Sequence, residues 1–316
     1  MRVQQPELFP LGGVQQALNP PPVPTLTSCD PLRATWGPFR TYMQRREFSE
    51  HTIAAFLNDL ELLVAFLSEE AALAQCTAPK LEEFVGYLQH GRGVPCSGKS
   101  LDRRITTLKV FFGWLAQNSI LLCDPAAPLL HYGARSPLPQ ILSDGEIERL
   151  LSTTRSMRDA EKAPDARPHL LVTLILTTAI KKGECMSLPL EHLDMGDPSQ
   201  PSVYVHYDKP RQRFKVRRLG LEAEWTRTLE VYLRRYQPRQ RLFECTPRNL
   251  EYVLHTVSMM AGITRPLTFE TLRWTSAVRD FRGGMDPERL RKRMGLSRVS
   301  WEGTLPIIQK LAEGPL

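Results

Sequence analysis

Residues 124–140 read DPAAPLLHYGARSPLPQ, four prolines and one glycine in a short span. Proline has a fixed φ and no amide hydrogen, so neither a helix nor a strand ladder runs through such a stretch. It divides the 316-residue chain into two parts, each long enough to bury its own core. The expected boundaries are a helical bundle over 31–125, a linker over 126–140 and a larger unit over 141–316. Pro6, Pro10, Pro20, Pro21, Pro22 and Pro24 predict an extended, Pro-rich tail over residues 1–30.

The first unit carries helical periodicity. Ile53, Phe56, Leu57, Leu60, Leu63, Val64 and Leu67 recur at three-four spacing and mark one apolar stripe, with Ser49 placed to cap its start. A second helix starts after Thr77, with Pro79 in its first turn, and carries Leu81, Phe84, Val85 and Leu88. A third runs from Ser100 to Leu115, and a short one spans 36–46. Four helices in this length predict a small bundle.

The second unit reads as mostly helical with one β signal. Ser143 and Glu146 form a capping box that opens a helix, and 167–180 is a nearly continuous apolar helix. Residues 202–207 and 214–221 alternate like two strands, joined by a turn over 208–213. Further helices are expected near 222–236, 247–261, 270–281 and 286–294.

Apolar residues make up 42% and charged residues 24%, the composition of a folded protein rather than a polyelectrolyte. No run of 18 apolar residues exists, and the N-terminus lacks the apolar stretch of a secretory signal. The cysteines at 29, 76, 96, 123, 185 and 245 form no Cys-x-x-Cys pair and no zinc spacing. These features predict a cytoplasmic protein with reduced thiols, no metal, no small-molecule cofactor and no membrane partner. The net charge of +7 points to an anionic partner such as nucleic acid. All 8 tyrosines lie at or before Tyr252, and all 7 histidines at or before His255.

The order of these pieces resembles the tyrosine recombinases, the phage-integrase and Xer-type family. The resemblance covers residues 31–316. It rests on 100–115 (SLDRRITTLKVFFGWL), 119–126 (SILLCDPA), 138–151 (LPQILSDGEIERLL) and the site motifs below. It implies a mainly α fold. A helical core-binding bundle is followed by a mixed α+β catalytic-type domain, mostly helical with a small β-hairpin. The family cuts a DNA strand with a tyrosine that becomes linked to the 3′ phosphate. That chemistry needs oriented cations on the non-bridging oxygens, a proton donor for the leaving oxygen and a base for the tyrosine.

Position by position, the resemblance implies the following. The first arginine falls on Lys181, in Thr178-Ala179-Ile180-Lys181-Lys182-Gly183-Glu184. Lysine keeps the charge and loses the fork, as a phosphate contact or as a plain surface lysine. The hairpin lysine falls on Lys209. The His-x-x-Arg motif falls on Glu270-Thr271-Leu272-Arg273, with Glu270 in place of histidine. Arg273 stands as the second arginine or as half of an ion pair with Glu270. Leu296 occupies the next histidine-type position, in Met294-Gly295-Leu296-Ser297. The nucleophile window holds Leu305-Pro306-Ile307, and Pro306 is expected to interrupt its helix. Only Lys209 and Arg273 match.

Six of the ten residues from 209 to 218 are basic and none is acidic. Lys209, Arg211, Arg213 and Lys215 are therefore candidate DNA contacts, with Lys181 and Arg273. Arg103, Arg104 and Lys109 resemble the family's DNA-facing pair and its neighbour. Against this, residues 47–79 hold six acids and no Lys or Arg. The expectation is a protein that binds duplex DNA in recombination or integration without cutting it, beside copies of itself or another recombinase. One alternative is an active enzyme whose nucleophile is Thr304, Ser300, Tyr252 or a partner's residue. The other is a protein-interaction scaffold, with 305–311 docked on a neighbour or on its own domain.

Overall fold

A computed structural model describes residues 26–133 and 137–314. Most of the Pro-rich tail, residues 1–25, lies outside the described residues. The chain divides between residues 136 and 137 into two compact units.

The first unit is built on α1 (Trp36–Arg45), α2 (Glu50–Leu67), α3 (Ala78–Gly86) and α4 (Gly98–Gln117). Ser49 and Ser97 cap α2 and α4, each side-chain oxygen accepting a backbone N–H three residues on. The stripe on α2 goes inward: Ile53, Phe56, Leu60, Leu63 and Val64 are buried. Phe39 of α1 meets Phe111 edge-on at 5.1 Å and Trp114 at 5.3 Å, an aromatic knot that joins α1 to α4.

Three expectations change in this unit. Residues 26–30 are not an extended arm: Ser28 and Asp30 accept hydrogen bonds from Ala74 and Leu73. The linker begins later than 126, because Ala126 and Leu129, on either side of Pro128, pack into the first core. Arg103, Arg104 and Lys109 each have a partner within the unit, and Arg103 stays exposed beside its partner. Both nitrogens of the Arg103 fork donate to Asp59, a buried carboxylate that also accepts from Thr107. Arg104 lies 3.5 Å from the same carboxylate and donates to the Cys96 thiol at 2.7 Å. Lys109 donates to the Ala127 carbonyl at 2.9 Å. The acids of α2 explain the outcome: a buried carboxylate requires a cation, and α4 supplies two.

The second unit contains α5 (Asp144–Arg158), α6 (Arg167–Thr178), α7 (Lys182–Ser187) and the strands β1 (Leu193–Asp194), β2 (Ser202–Val205) and β3 (Arg217–Gly220). It continues with α8 (Glu224–Tyr236), α9 (Pro247–Met260), α10 (Phe269–Arg282), α11 (Pro287–Arg293) and α12 (Arg298–Glu313). The Ser143–Glu146 capping box is formed. Helix α6 is apolar on every side and sits in the centre of the core. It stops at Thr178 because Ala179 takes a left-handed φ of 51°. The sheet is antiparallel in the order β1-β2-β3, with Val203 opposite Leu219 and Val205 opposite Arg217.

The strands are shorter than the alternation suggests. Pro210–Lys215 coil into a 3₁₀ turn between them, for which Pro210 has the right φ. Strand β1 has two residues, too few to show a period. Helix α12 runs through Pro306 without interruption, contrary to expectation. Pro306 is exposed, and so is Glu302, the residue whose carbonyl it leaves without a helix partner. Segment 305–311 docks on its own unit: Ile308 and Trp301 are buried with Ala277 and Val278 of α10. Arg282 adds hydrogen bonds to the carbonyls of Leu311 and Ala312 at 3.1 and 3.0 Å. Among the described residues no helix is long and apolar enough to cross a membrane.

Candidate functional site

The left-handed turn at Ala179 throws the chain out of α6 and sets Lys181 at the start of α7. Glu184, one turn on, accepts the Lys181 backbone N–H at 2.9 Å. The Glu184 carboxylate is buried and serves as a hub. It accepts from both ends of the Arg217 fork at 3.0 and 2.7 Å, and from the Tyr207 hydroxyl at 2.7 Å. Burial alone raises such a carboxyl, but the Arg217 hydrogen bonds and charge outweigh it and hold it below its ordinary pKa. The Tyr207 hydroxyl is pushed up, first by burial and then by its bond to Glu184.

Four successive carbonyls, starting at the last residue of α11, each receive a different cation. Arg217 Nε donates to Arg293 O at 2.7 Å and Arg273 Nη2 to Met294 O at 3.0 Å. Lys181 Nζ donates to Gly295 O at 2.6 Å and Arg291 Nη1 to Leu296 O at 2.6 Å. The turn needs glycine at 295. Its φ is 61°, and a Cβ there would sit 2.7 Å from Arg217 Nη1. Arg273 is 8% exposed and also donates from Nε to Ala179 O at 2.9 Å. Its remaining arm lies 3.8 Å from the largely exposed Glu270 carboxylate. Arg273 thus joins the end of α6 to the 293–296 turn, and the ion pair with Glu270 is a side contact.

Burial first, and then Arg273, Lys215 and Arg217, outweigh the pull of Glu184 and press the Lys181 ammonium down to about 8. Lys181 is half-buried, with its ammonium held by the Gly295 carbonyl. On the hairpin, Lys209, Arg211 and Arg213 are exposed at the 3₁₀ turn. Lys215 is half-buried, its ammonium 5.1 Å from the Tyr207 ring. The structure thus brings Lys181, Arg273 and Lys215 together and leaves Lys209 at the exposed start of the turn.

The hydroxyls considered as substitute nucleophiles are occupied or remote from this group. Thr304 donates to the Ser300 carbonyl at 2.7 Å, and Ser300 shares the α12 cap with Ser297. Tyr252 is exposed on α9 and accepts from Arg248 at 3.3 Å. Leu305 is half-buried against its own core, and Leu296 likewise packs there.

Sequence reasoning did not single out Glu184, Tyr207 or Arg217 as a network. A signal for Arg217 exists in the strand alternation: it pairs with buried Val205, which puts it on the inner face of the sheet.

Residues 39–119 match the phage integrase N-terminal SAM-like domain. The tyrosine recombinase XerC of Staphylococcus haemolyticus is 26% identical over 271 residues, covering 82% of this chain and 86% of that protein. In structure, the chain is similar to the XerH site-specific recombinase bound to palindromic difH substrate. The TM-score is 0.67 at 16% identity, covering 85% of this chain and 78% of that one. It is similar to the Tn1549 transposon integrase in complex with transposon right end DNA. There the TM-score is 0.65 at 15% identity, covering 89% of this chain and 94% of that one. The likeness to these solved structures is one of fold.

Proposed function

We propose that this chain, similar in sequence to tyrosine recombinases over most of its length, is a recombination protein of that family that grips duplex DNA without cutting it. One observation carries this reading. An exposed basic hairpin leads into the cations around Lys181, while the nucleophile window holds Leu305, Pro306 and Ile307.

A phosphodiester supplies charged oxygens, which are stronger acceptors than the neutral carbonyls that hold Lys181 and Arg273. DNA entering along the hairpin would exchange those carbonyls for phosphate oxygens, with Lys209, Arg211, Arg213 and Lys215 on neighbouring phosphates. The same cations would steady a transition state, but no tyrosine follows Tyr252 to attack. The protein then acts in the cytoplasm as a non-cleaving subunit, beside copies of itself or an intact recombinase. The solved lambda integrase assemblies, a dimer on a core site and a tetramer on a Holliday junction, support such a role for a fold of this kind.

Two measurements test this. Duplex affinity, followed by fluorescence anisotropy, is expected to fall steeply as salt rises. Incubation with a nicked suicide duplex is expected to leave no covalent protein–DNA adduct. An adduct abolished by Thr304→Ala, Ser300→Ala or Tyr252→Phe would establish cleavage and end this reading.

The Lys181 ammonium gives a pH signature. Its pKa is lowered to about 8, so the charge is present below that pH and lost above it. Duplex affinity should fall by about tenfold between pH 7 and 9, the value of one charge-assisted bond. The variant Lys181→Arg, which stays charged, should show a flat profile over that range.

A further inference from the structure

A second polar space lies beside the carbonyl turn. A cavity of about 320 Å³ opens between α5, α6, α10 and the end of α11. That volume is at the lower end of small-molecule sites. Its walls carry more unmet polarity than an interior void normally does. Ser276 is 1% exposed and lines the cavity, and its hydroxyl has no hydrogen-bond partner among the described residues. Asp280 and Arg293 form an ion pair there, with Oδ2 and Nε 2.7 Å apart. Neither of those two buried atoms makes an aligned hydrogen bond. Buried polar atoms are satisfied in nearly all native structures, so the unpartnered Ser276 hydroxyl, beside a buried ion pair without an aligned hydrogen bond, calls for a ligand.

The lining also carries Arg279 and Glu222, both exposed at its edge. Two cations and two carboxylates therefore face one small space. A simple anion would meet Asp280 and Glu222, and a simple cation would meet Arg279 and Arg293. A molecule bearing both charges at short separation satisfies both pairs. Leu151 and Leu176 leave an apolar wall for an aliphatic or aromatic group.

We propose that this cavity binds a small zwitterion of the α-amino-acid class. Its carboxylate is received by Arg279 and the Ser276 hydroxyl, and its ammonium by Asp280 and Glu222. Burial raises the Asp280 carboxyl against the pull of Arg293, Arg279 and Arg289, and it depresses the Arg293 guanidinium against the pull of Asp280. One residue belongs to both sites: the Arg293 side chain lines the cavity while its carbonyl holds Arg217. The ligand site itself does not depend on DNA binding.

The test uses the full chain without DNA. Thermal melts against the twenty common L-amino acids, one at a time at about 10 mM, are followed by calorimetry on the strongest. At least one is expected to raise Tm by about 3 °C and to bind saturably with Kd at or below about 1 mM. Its N-acetyl and its carboxamide counterparts should each bind about tenfold more weakly, because each lacks one charge. Ser276→Ala and Asp280→Asn should each cost about tenfold in affinity, with the melt of the unliganded variant reporting its fold. If Asp280→Asn does not fold, Ser276→Ala decides alone. Three results would each overturn the proposal: no saturable binding by any amino acid, equal binding of the charge-blocked counterparts, or unaltered binding by the folded variants.

Discussion

Lys209→Glu, Arg211→Glu, Arg213→Glu and Lys215→Glu, made together, should lower duplex affinity by about 10³ at 0.1 M salt. Four phosphate contacts carry about 3.6 units of the slope of log affinity against log salt, so the quadruple variant should also lose most of its salt dependence. Lys209, Arg211 and Arg213 are exposed and Lys215 is half-buried, so the fold should survive. Circular dichroism of the variant checks that. Fluorescence anisotropy with a labelled duplex between 50 and 200 mM salt, about the range over which such contacts weaken, reads the effect. Unchanged affinity would mean that DNA meets another surface. In the N-terminal unit, Arg103 and Arg104 share the one buried carboxylate of Asp59.

The second large effect is on stability. Glu184→Ala should destabilise the second unit by about 3–5 kcal/mol, the usual cost of breaking one side of a buried ion pair. The Arg217 side chain it leaves behind is 8% exposed and has no other carboxylate partner among the described residues, while the Tyr207 hydroxyl loses its acceptor. A unit of this size melts about 2–4 °C lower per kcal/mol, so a drop in Tm of about 10 °C is expected by calorimetry. The double change Glu184→Ala with Arg217→Met should recover much of that loss, because two apolar side chains leave no unpaired charge. If the double variant is no more stable than the single one, the cost lies in the lost cap on Lys181 rather than in the stranded guanidinium.

The helices were legible wherever one face was apolar and a cap stood at the start. The α2 stripe with Ser49, and the Ser143–Glu146 box, are local patterns, and local geometry follows from them directly. The hairpin was legible as a basic turn, but its strands were drawn too long, since alternation does not reveal a 3₁₀ turn led by Pro210. Pro306 misled for a related reason. Proline removes one hydrogen bond, which is costly in a core and tolerable where the residue that loses its partner is exposed, and exposure is not written in the segment itself.

The candidate site divides the same way. Lys181, Lys209, Glu270 and Arg273 were identifiable by their motif positions. Nothing local announces that Arg217 turns inward to Glu184, or that residues 293–296 offer their carbonyls to four cations. Those partners lie up to 114 positions apart in the chain.

By itself the amino-acid sequence determined two things about this protein: the periodicity that makes it mainly helical, and the absence of tyrosine after 252 and of histidine after 255. An absence is fixed by composition and needs no geometry. Which cations remain available to an anion was decided only by the tertiary structure. A guanidinium is the same group in every context, and its work depends on what surrounds it. Asp59 claims Arg103, Glu184 claims Arg217, and backbone carbonyls hold Lys181 and Arg273. The turn from Lys209 to Arg213 stands exposed at the surface of its unit.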